Sequence, residues 1–237
     1  MNYLIRRVIF QCFAAGIVTI VTALPAVADV LIFGGTRGVG LETARLLASA
    51  GEPVTVMVRQ SSDVTALSEL DGVTRVIGDA LVPGSVAAAF ASGEFEAAVS
   101  TLSGNPEAGF AVDSVGSINA INAAKAAGVQ RFILISSIGV GDSAKALPQA
   151  ALDALANVLV EKTKAENHLI KSGLDYTIIR PGGLLDKPAN GLGVLTEDVM
   201  ASGIIRRAEV ARLIVEALND AAASNKIYTA IEVSQVE

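Results

Sequence analysis

Apolar positions along this chain fall into short unbroken runs, separated by longer stretches with helical spacing. Val30–Phe33 is four apolar residues in a row, the pattern of a strand buried on both faces. After it, Leu41, Ala44, Leu46 and Leu47 recur at helical spacing until Ala50-Gly51 stops them. Further strands are predicted over Val54–Val58, Thr74–Ile77, Ala97–Thr101, Arg131–Ser136, Asp175–Arg180 and Ile227–Val233. Helices are predicted over Ser85–Phe90, Asp113–Ala127, Ala150–Ser172 (with room for a break) and Arg207–Asn219, with Gly128 and Gly173 as stops. Strands and helices alternate without a linker, repeat or low-complexity tract. That order predicts an α/β fold, one doubly wound parallel sheet with helices on both faces.

The first strand runs into a glycine-rich turn holding Gly34, Gly35, Thr36, Arg37, Gly38, Val39 and Gly40. Strand, glycine turn, helix and strand within residues 29–59 make the βαβ unit that holds a dinucleotide in Rossmann-type sheets. Glycines there permit a tight turn, close backbone approach to a pyrophosphate, and close packing of helix on strand, with the helix N-terminus facing the phosphates. The spacing is Gly34-x3-Gly38-x-Gly40 rather than G-x-G-x-x-G. Arg59 ends the second strand, where a carboxylate would select NAD and an arginine suits the 2′-phosphate of NADP. Arg37 supplies a second cation, and the two together point to NADP(H).

Residues 1–28 differ from the rest. Arg6-Arg7 precedes a mostly apolar stretch, Val8–Leu24, and then Ala26-x-Ala28, a small-residue cleavage pattern. The stretch is short for a membrane span. It predicts a signal peptide cut before Asp29, with an uncleaved anchor as the alternative and membrane contact only through this segment. Arg6-Arg7 faintly resembles a twin-arginine signal, so the expected location is exported or periplasmic, with membrane-anchored or cytoplasmic as alternatives. Residues 29–237 then form the NAD(P)-binding domain. Removing residues 1–28 takes away two of 18 cations and none of 24 acids, so the net charge goes from −6 to −8. That balance argues against non-specific nucleic-acid binding. The lone cysteine is Cys12, so residues 29–237 offer no disulfide, thiolate metal site or cysteine nucleophile. No metal site is expected.

Ligands of such sheets bind at the carboxyl ends of the strands. The polar groups there are Asp79 with Ala80, Ser103, Ser136, Ser137 and Arg180, followed by Pro181-Gly182-Gly183. Asp79 is placed to meet the adenine amino group, Ser136 and Ser137 the substrate beside the nicotinamide, and Pro181–Gly183 the nicotinamide amide. His168, the only histidine, sits in a polar helical stretch and reads as a solvated side chain.

The stretches IFGGTRGVG, VMVR, GDALVP, RFILISSIGV, VEKTKAENHLIKSGLDYTIIRPGGL and RRAEVARLIVEAL resemble the short-chain dehydrogenase/reductase superfamily, specifically its atypical NmrA-like, NAD(P)H-binding branch. They cover nearly all of residues 29–233. The resemblance implies a nucleotide-binding lysine at Lys162 and an active-site serine at Ser136 or Ser137. The chain departs from the superfamily in its acid/base. Of the three tyrosines Tyr3, Tyr176 and Tyr228, none has a lysine four residues on, and Val158 stands where the Tyr-x-x-x-Lys tyrosine belongs. Phenolic proton transfer is therefore unavailable. The resemblance implies an NADPH-dependent reductase of a small-molecule hydride acceptor that takes its proton from solvent, such as a flavin, quinone or linear tetrapyrrole. The alternative is a non-catalytic NADP(H)-binding redox sensor or assembly factor.

Overall fold

The computed structural model describes residues 29–107 and 109–233. The signal-peptide or anchor expectation falls on residues 1–28 and lies outside them. Strands are β1 (Val30–Phe33), β2 (Val54–Val58), β3 (Val73–Ile77), β4 (Ala97–Ser100), β5 (Arg131–Ile135), β6 (Asp175–Pro181), β7 (Gly183–Leu185), β8 (Gly193–Thr196), β9 (Ile204–Arg206) and β10 (Lys226–Glu232). Helices are α1 (Gly38–Ser49), α2 (Thr65–Ser68), α3 (Pro83–Phe90), α4 (Ser117–Ala126), α5 (Gln149–Ser172) and α6 (Arg207–Asn219). A π-helical turn, Val112–Gly116, precedes α4, and a 3₁₀ segment, Gly141–Ala146, precedes α5.

The main sheet has the order β3-β2-β1-β4-β5-β6-β10-β8. All its pairings are parallel except β10–β8, so the expected all-parallel sheet carries one antiparallel edge strand. β7 and β9 form a separate two-stranded parallel ribbon. The helix from Gln149 to Ser172 runs without the allowed break. In the central strands successive side chains enter opposite cores. Val30, Ile32, Val56, Val99 and Ile179 pack with α1 and α6 through Ala44, Leu47, Val210 and Ile214. Leu31, Phe33, Ala98, Phe132 and Ile178 pack with α3, α4 and α5 through Val86, Phe90, Ile121 and Leu169. Both faces are covered, which is why these strands read as unbroken apolar runs. Among the described residues no helix is long and apolar enough to cross a membrane.

Residues 190–193, in the stretch between β7 and α6, are held by a buried carboxylate. Glu209 Oε1 accepts the N–H groups of Asn190 (2.8 Å) and Gly191 (2.7 Å). Its Oε2 accepts from Gly193 N–H (2.9 Å) and Arg212 Nη2 (2.7 Å). Burial pushes this carboxyl up, but Arg212 and the three backbone donors more than offset it and lower it from 4.5 to about 2. A depressed carboxylate stabilises the fold above its unfolded value and loses that contribution as pH falls toward its folded value. Glu209→Gln is therefore expected to lower the thermal midpoint clearly at about pH 7. The gap to the unaltered protein should close as the pH drops from 4.5 toward about 2. A gap that stays constant across a pH series of melts would show that the carboxylate's charge is not what holds residues 190–193.

Candidate active site

The sheet order turns outward on both sides from β1 and β4, and ligands of open α/β sheets bind where that happens, beyond the carboxyl ends of the strands. β1 delivers the glycine turn to this crevice. Gly34 has φ +86°, and a methyl group placed on it would lie 2.8 Å from Thr101 Oγ1 and 3.0 Å from the Thr101 carbonyl carbon. A methyl on Gly40 would collide with the same hydroxyl and lie 2.5 Å from Gly34 O. Both positions thus exclude a side chain, the first by conformation and contact, the second by contact alone. Thr101, just beyond β4, latches the turn, with its Oγ1 3.0 Å from Phe33 O and 3.2 Å from Gly34 O. Gly35 backs onto Val56, and Val39 is buried. Thr36 is half-buried and Arg37 exposed at the mouth of α1. α1 has no side-chain cap and no acidic residue in its first turn, so its first amide donors have no carboxylate of their own turn to meet.

Arg59 is exposed just beyond β2, with its backbone fixed by Ser62: the Arg59 N–H donates to Ser62 Oγ (3.2 Å) and Ser62 N–H to Arg59 O (2.9 Å). Among the described residues neither Arg37 nor Arg59 has an ion-pair partner. The structure thus brings two uncompensated cations to the ends of β1 and β2. Asp79 is a turn residue here: its Oδ1 accepts the Leu81 N–H (2.9 Å), and its own N–H donates to Ser85 Oγ (2.9 Å). It is half-buried, beside buried Ala80, whose carbonyl accepts from Asn119 Nδ2 (2.8 Å).

The other half of the crevice is built at the ends of β4, β5 and β6. Lys162 of α5 is buried, and its Nζ lies 3.2 Å from Ile135 O and 3.4 Å from Leu102 O. The same Nζ is 3.0 Å from Asp113 Oδ1, an ionic contact without hydrogen-bond alignment. Asp113, in the π-helical turn, is fully enclosed, and its Oδ2 accepts the Gly104 N–H (2.7 Å). Ser103 is exposed beside it. The two serines differ. Ser137 Oγ donates to Ile138 O (2.9 Å), whereas Ser136 Oγ is buried with no partner. Among the described residues, that hydroxyl keeps its hydrogen-bonding capacity for water or for a ligand. Ser136 is therefore the better candidate to touch substrate. Val158, one helical turn before Lys162, is half-buried.

Arg180 is not available to a ligand. Its Nε and Nη2 grip Glu166 (3.0 and 2.7 Å), and its Nη1 reaches Asp142 (2.6 Å). The backbone donors after β6 are also engaged: Gly182 N–H donates to Ala230 O and Gly183 N–H to Gly203 O, both at 2.9 Å. Pro181 O accepts from Ile138 N–H (3.1 Å). The 181–183 stretch thus joins the main sheet to the β7–β9 ribbon and meets a ligand only through its remaining faces. His168 Nε2 lies 2.7 Å from Asn122 Oδ1 at the surface between α5 and α4, away from the site. Among the described residues no group of three or more His, Cys, Asp or Glu is placed to hold a metal ion.

Sequence reasoning passed over Thr101, Asp113 and Glu166. Thr101 read as the last residue of a strand. Asp113 read only as the first residue of a helix, a position that carboxylates favour for the macrodipole alone.

Residues 34–221 match a family model described as NAD(P)H-binding. Among solved structures, ChuY of Escherichia coli O157:H7, titled an anaerobillin reductase, is 36% identical with a TM-score of 0.78, over 88% of this chain and 99% of that one. The oxidoreductase YlbE of Lactococcus lactis is 25% identical with a TM-score of 0.74, over 87% of this chain and 91% of that one. The sanguinarine reductase of Eschscholzia californica is 40% identical over 125 residues, which is 49% of this chain. The matched stretch spans only 44% of that relative's length.

Proposed function

The chain belongs to the NAD(P)H-binding family, and from that premise we propose that it is an NADPH-dependent reductase whose acceptor is a conjugated small molecule of the flavin, quinone or linear tetrapyrrole kind. Residues 29–237 are its nucleotide-binding domain in this reading. The observation that carries it is the composition of the crevice beyond β4 and β5. There a buried ammonium, Lys162, and an unpartnered buried hydroxyl, Ser136, lie at the strand ends, and Val158, one helical turn before Lys162, is the residue to which the family resemblance gives the tyrosine's position.

The residues fit the cofactor. Gly34 and Gly40 keep the turn tight against Thr101, α1 presents free amide donors, and Arg37 and Arg59 supply positive charge for phosphate. Bound NADPH supplies the reducing equivalent, and the protein's part is binding and orientation. Lys162 brings a fixed positive charge to the strand ends. Ser136 Oγ offers one hydrogen bond to the acceptor. Val158 offers no proton, so the acceptor is one that stabilises the added electrons over its own conjugated system and is protonated from solvent. Two relatives described as reductases, of anaerobillin and of sanguinarine, support a reductase of small molecules.

The test is a panel of acceptors with purified protein. NADPH is expected to be consumed with flavin, quinone or tetrapyrrole acceptors and poorly with simple ketones. Ser136→Ala should lower turnover more than Ser137→Ala does. Arg59→Asp should weaken NADPH binding by roughly tenfold to a hundredfold without weakening NADH, since one charge-assisted hydrogen bond contributes about 1.5–3 kcal/mol and a carboxylate at this position suits NAD. Fast reduction of simple ketones would show that a proton donor has been misplaced. Tight NADPH binding without turnover of any acceptor would favour a sensor.

A further inference from the structure

Arg207 opens α6, far along the chain from the glycine turn, yet the fold sets it against that turn. α1 and α6 pack side by side on one face of the sheet, and each begins at its carboxyl edge. A methyl group placed on Gly38, the first residue of α1, would lie 3.5 Å from Arg207 Cδ and 3.6 Å from its Nε. Arg207 Nη1 is 2.8 Å from Asp186 Oδ1, with 28% of the arginine side chain and 84% of the aspartate exposed. Exposed ion pairs of this kind contribute little.

The location is electrostatically odd unless an anion joins it. A helix N-terminus repels cations, and here Arg37 and Arg207 both border the N-terminus of α1. No acidic residue lies in the first turn of α1, and no side chain caps it. Among the described residues the only carboxylate paired with Arg207 is the solvent-exposed Asp186, just beyond β7.

We propose that Arg207 is a nucleotide-binding residue that grips the pyrophosphate of the dinucleotide over the glycine turn, exchanging Asp186 for phosphate. The inference rests on the NAD(P)H-binding reading of this crevice and adds a cation to it from the far end of the chain. The exchange suits a guanidinium, whose planar fork matches two phosphate oxygens at once.

The experiment is titration of NADPH and NADH by nucleotide fluorescence on the unaltered protein, Arg207→Gln, Asp186→Asn and Arg59→Asp. Arg207→Gln is expected to weaken both nucleotides alike, by roughly tenfold to a hundredfold, the range of one charge-assisted hydrogen bond. Asp186→Asn leaves Arg207 in place without its competitor, and both nucleotides should bind up to about fivefold tighter. This second variant decides the matter if Arg207→Gln fails to fold. Unchanged affinities in Arg207→Gln, a loss confined to NADPH, or weaker binding in Asp186→Asn would each overturn the pyrophosphate role. If the unaltered protein binds neither nucleotide, the reading of the crevice fails first. If it binds both and only Arg59→Asp loses affinity selectively for NADPH, that reading stands apart from the fate of Arg207.

Discussion

Glu166→Ala is expected to lower the stability of the fold by about 3–5 kcal/mol, the cost of leaving a buried charge without its partner. Arg180 and Glu166 are 7% and 4% exposed and meet through two parallel hydrogen bonds, at 3.0 and 2.7 Å. Glu166 comes from α5, Arg180 from β6, and the third member, Asp142, from the 3₁₀ segment after β5. The triad thus fastens α5 to the carboxyl edge of the sheet. Its members are unequal. Asp142 is 59% exposed, and the Arg180 hydrogen bond holds its carboxyl below the ordinary value of 3.8 against the opposing effect of burial. Water screens that contact, so Asp142→Asn should cost no more than about 1 kcal/mol. The paired replacement Glu166→Leu with Arg180→Met removes both charges. It should return most of what Glu166→Ala loses, because apolar groups of similar volume replace a buried ion pair at little net cost. Urea unfolding of the three variants checks the order. A loss below about 1 kcal/mol for Glu166→Ala would mean that water reaches the guanidinium after all.

The same triad shows where sequence reading stops. Arg180 at the end of a strand is a natural ligand candidate, and Glu166 four residues beyond Lys162 looks like one more charge on a polar helix. Only the packing of α5 across β6 reveals that each is the other's partner. The strands that carry the sheet were legible because burial on both faces writes unbroken apolar runs, as in Val30–Phe33 and Val54–Val58. The glycine turn was legible because its conformational and contact demands fall on a few adjacent residues. Between Gly183 and Arg206 the signal fails. β7, β8 and β9 are three or four residues long and only partly buried, so no period accumulates. Residues 190–193 of that stretch are organised by Glu209 on α6, through hydrogen bonds to backbone that carry no side-chain signature. The choice between Ser136 and Ser137 was likewise a matter of hydrogen-bond partners, which adjacent identical residues do not advertise.

Lys162→Met is expected to do two separable kinds of damage. The first is to stability. Asp113 has no solvent contact through its side chain, and among the described residues Lys162 Nζ at 3.0 Å is its only counter-charge. Removing that ammonium strands a buried carboxylate and should cost about 3–5 kcal/mol. The second is to the site. Lys162 Nζ also lies by the Leu102 and Ile135 carbonyls at the ends of β4 and β5, so under the proposed function its loss removes a positive charge from the nucleotide and acceptor site. The double variant Lys162→Met with Asp113→Asn separates the two. The asparagine carries no charge, and its side-chain oxygen still accepts from Gly104 N–H, the bond Asp113 makes now at 2.7 Å. Most of the stability should therefore return, while NADPH affinity and turnover stay low. Denaturation and nucleotide titration on the same three proteins read the outcome. Recovery of both stability and NADPH affinity in the double variant would reduce Lys162 to a neutraliser of Asp113. Recovery of stability alone would leave its ammonium as part of the site, held in place by a carboxylate that never meets the ligand.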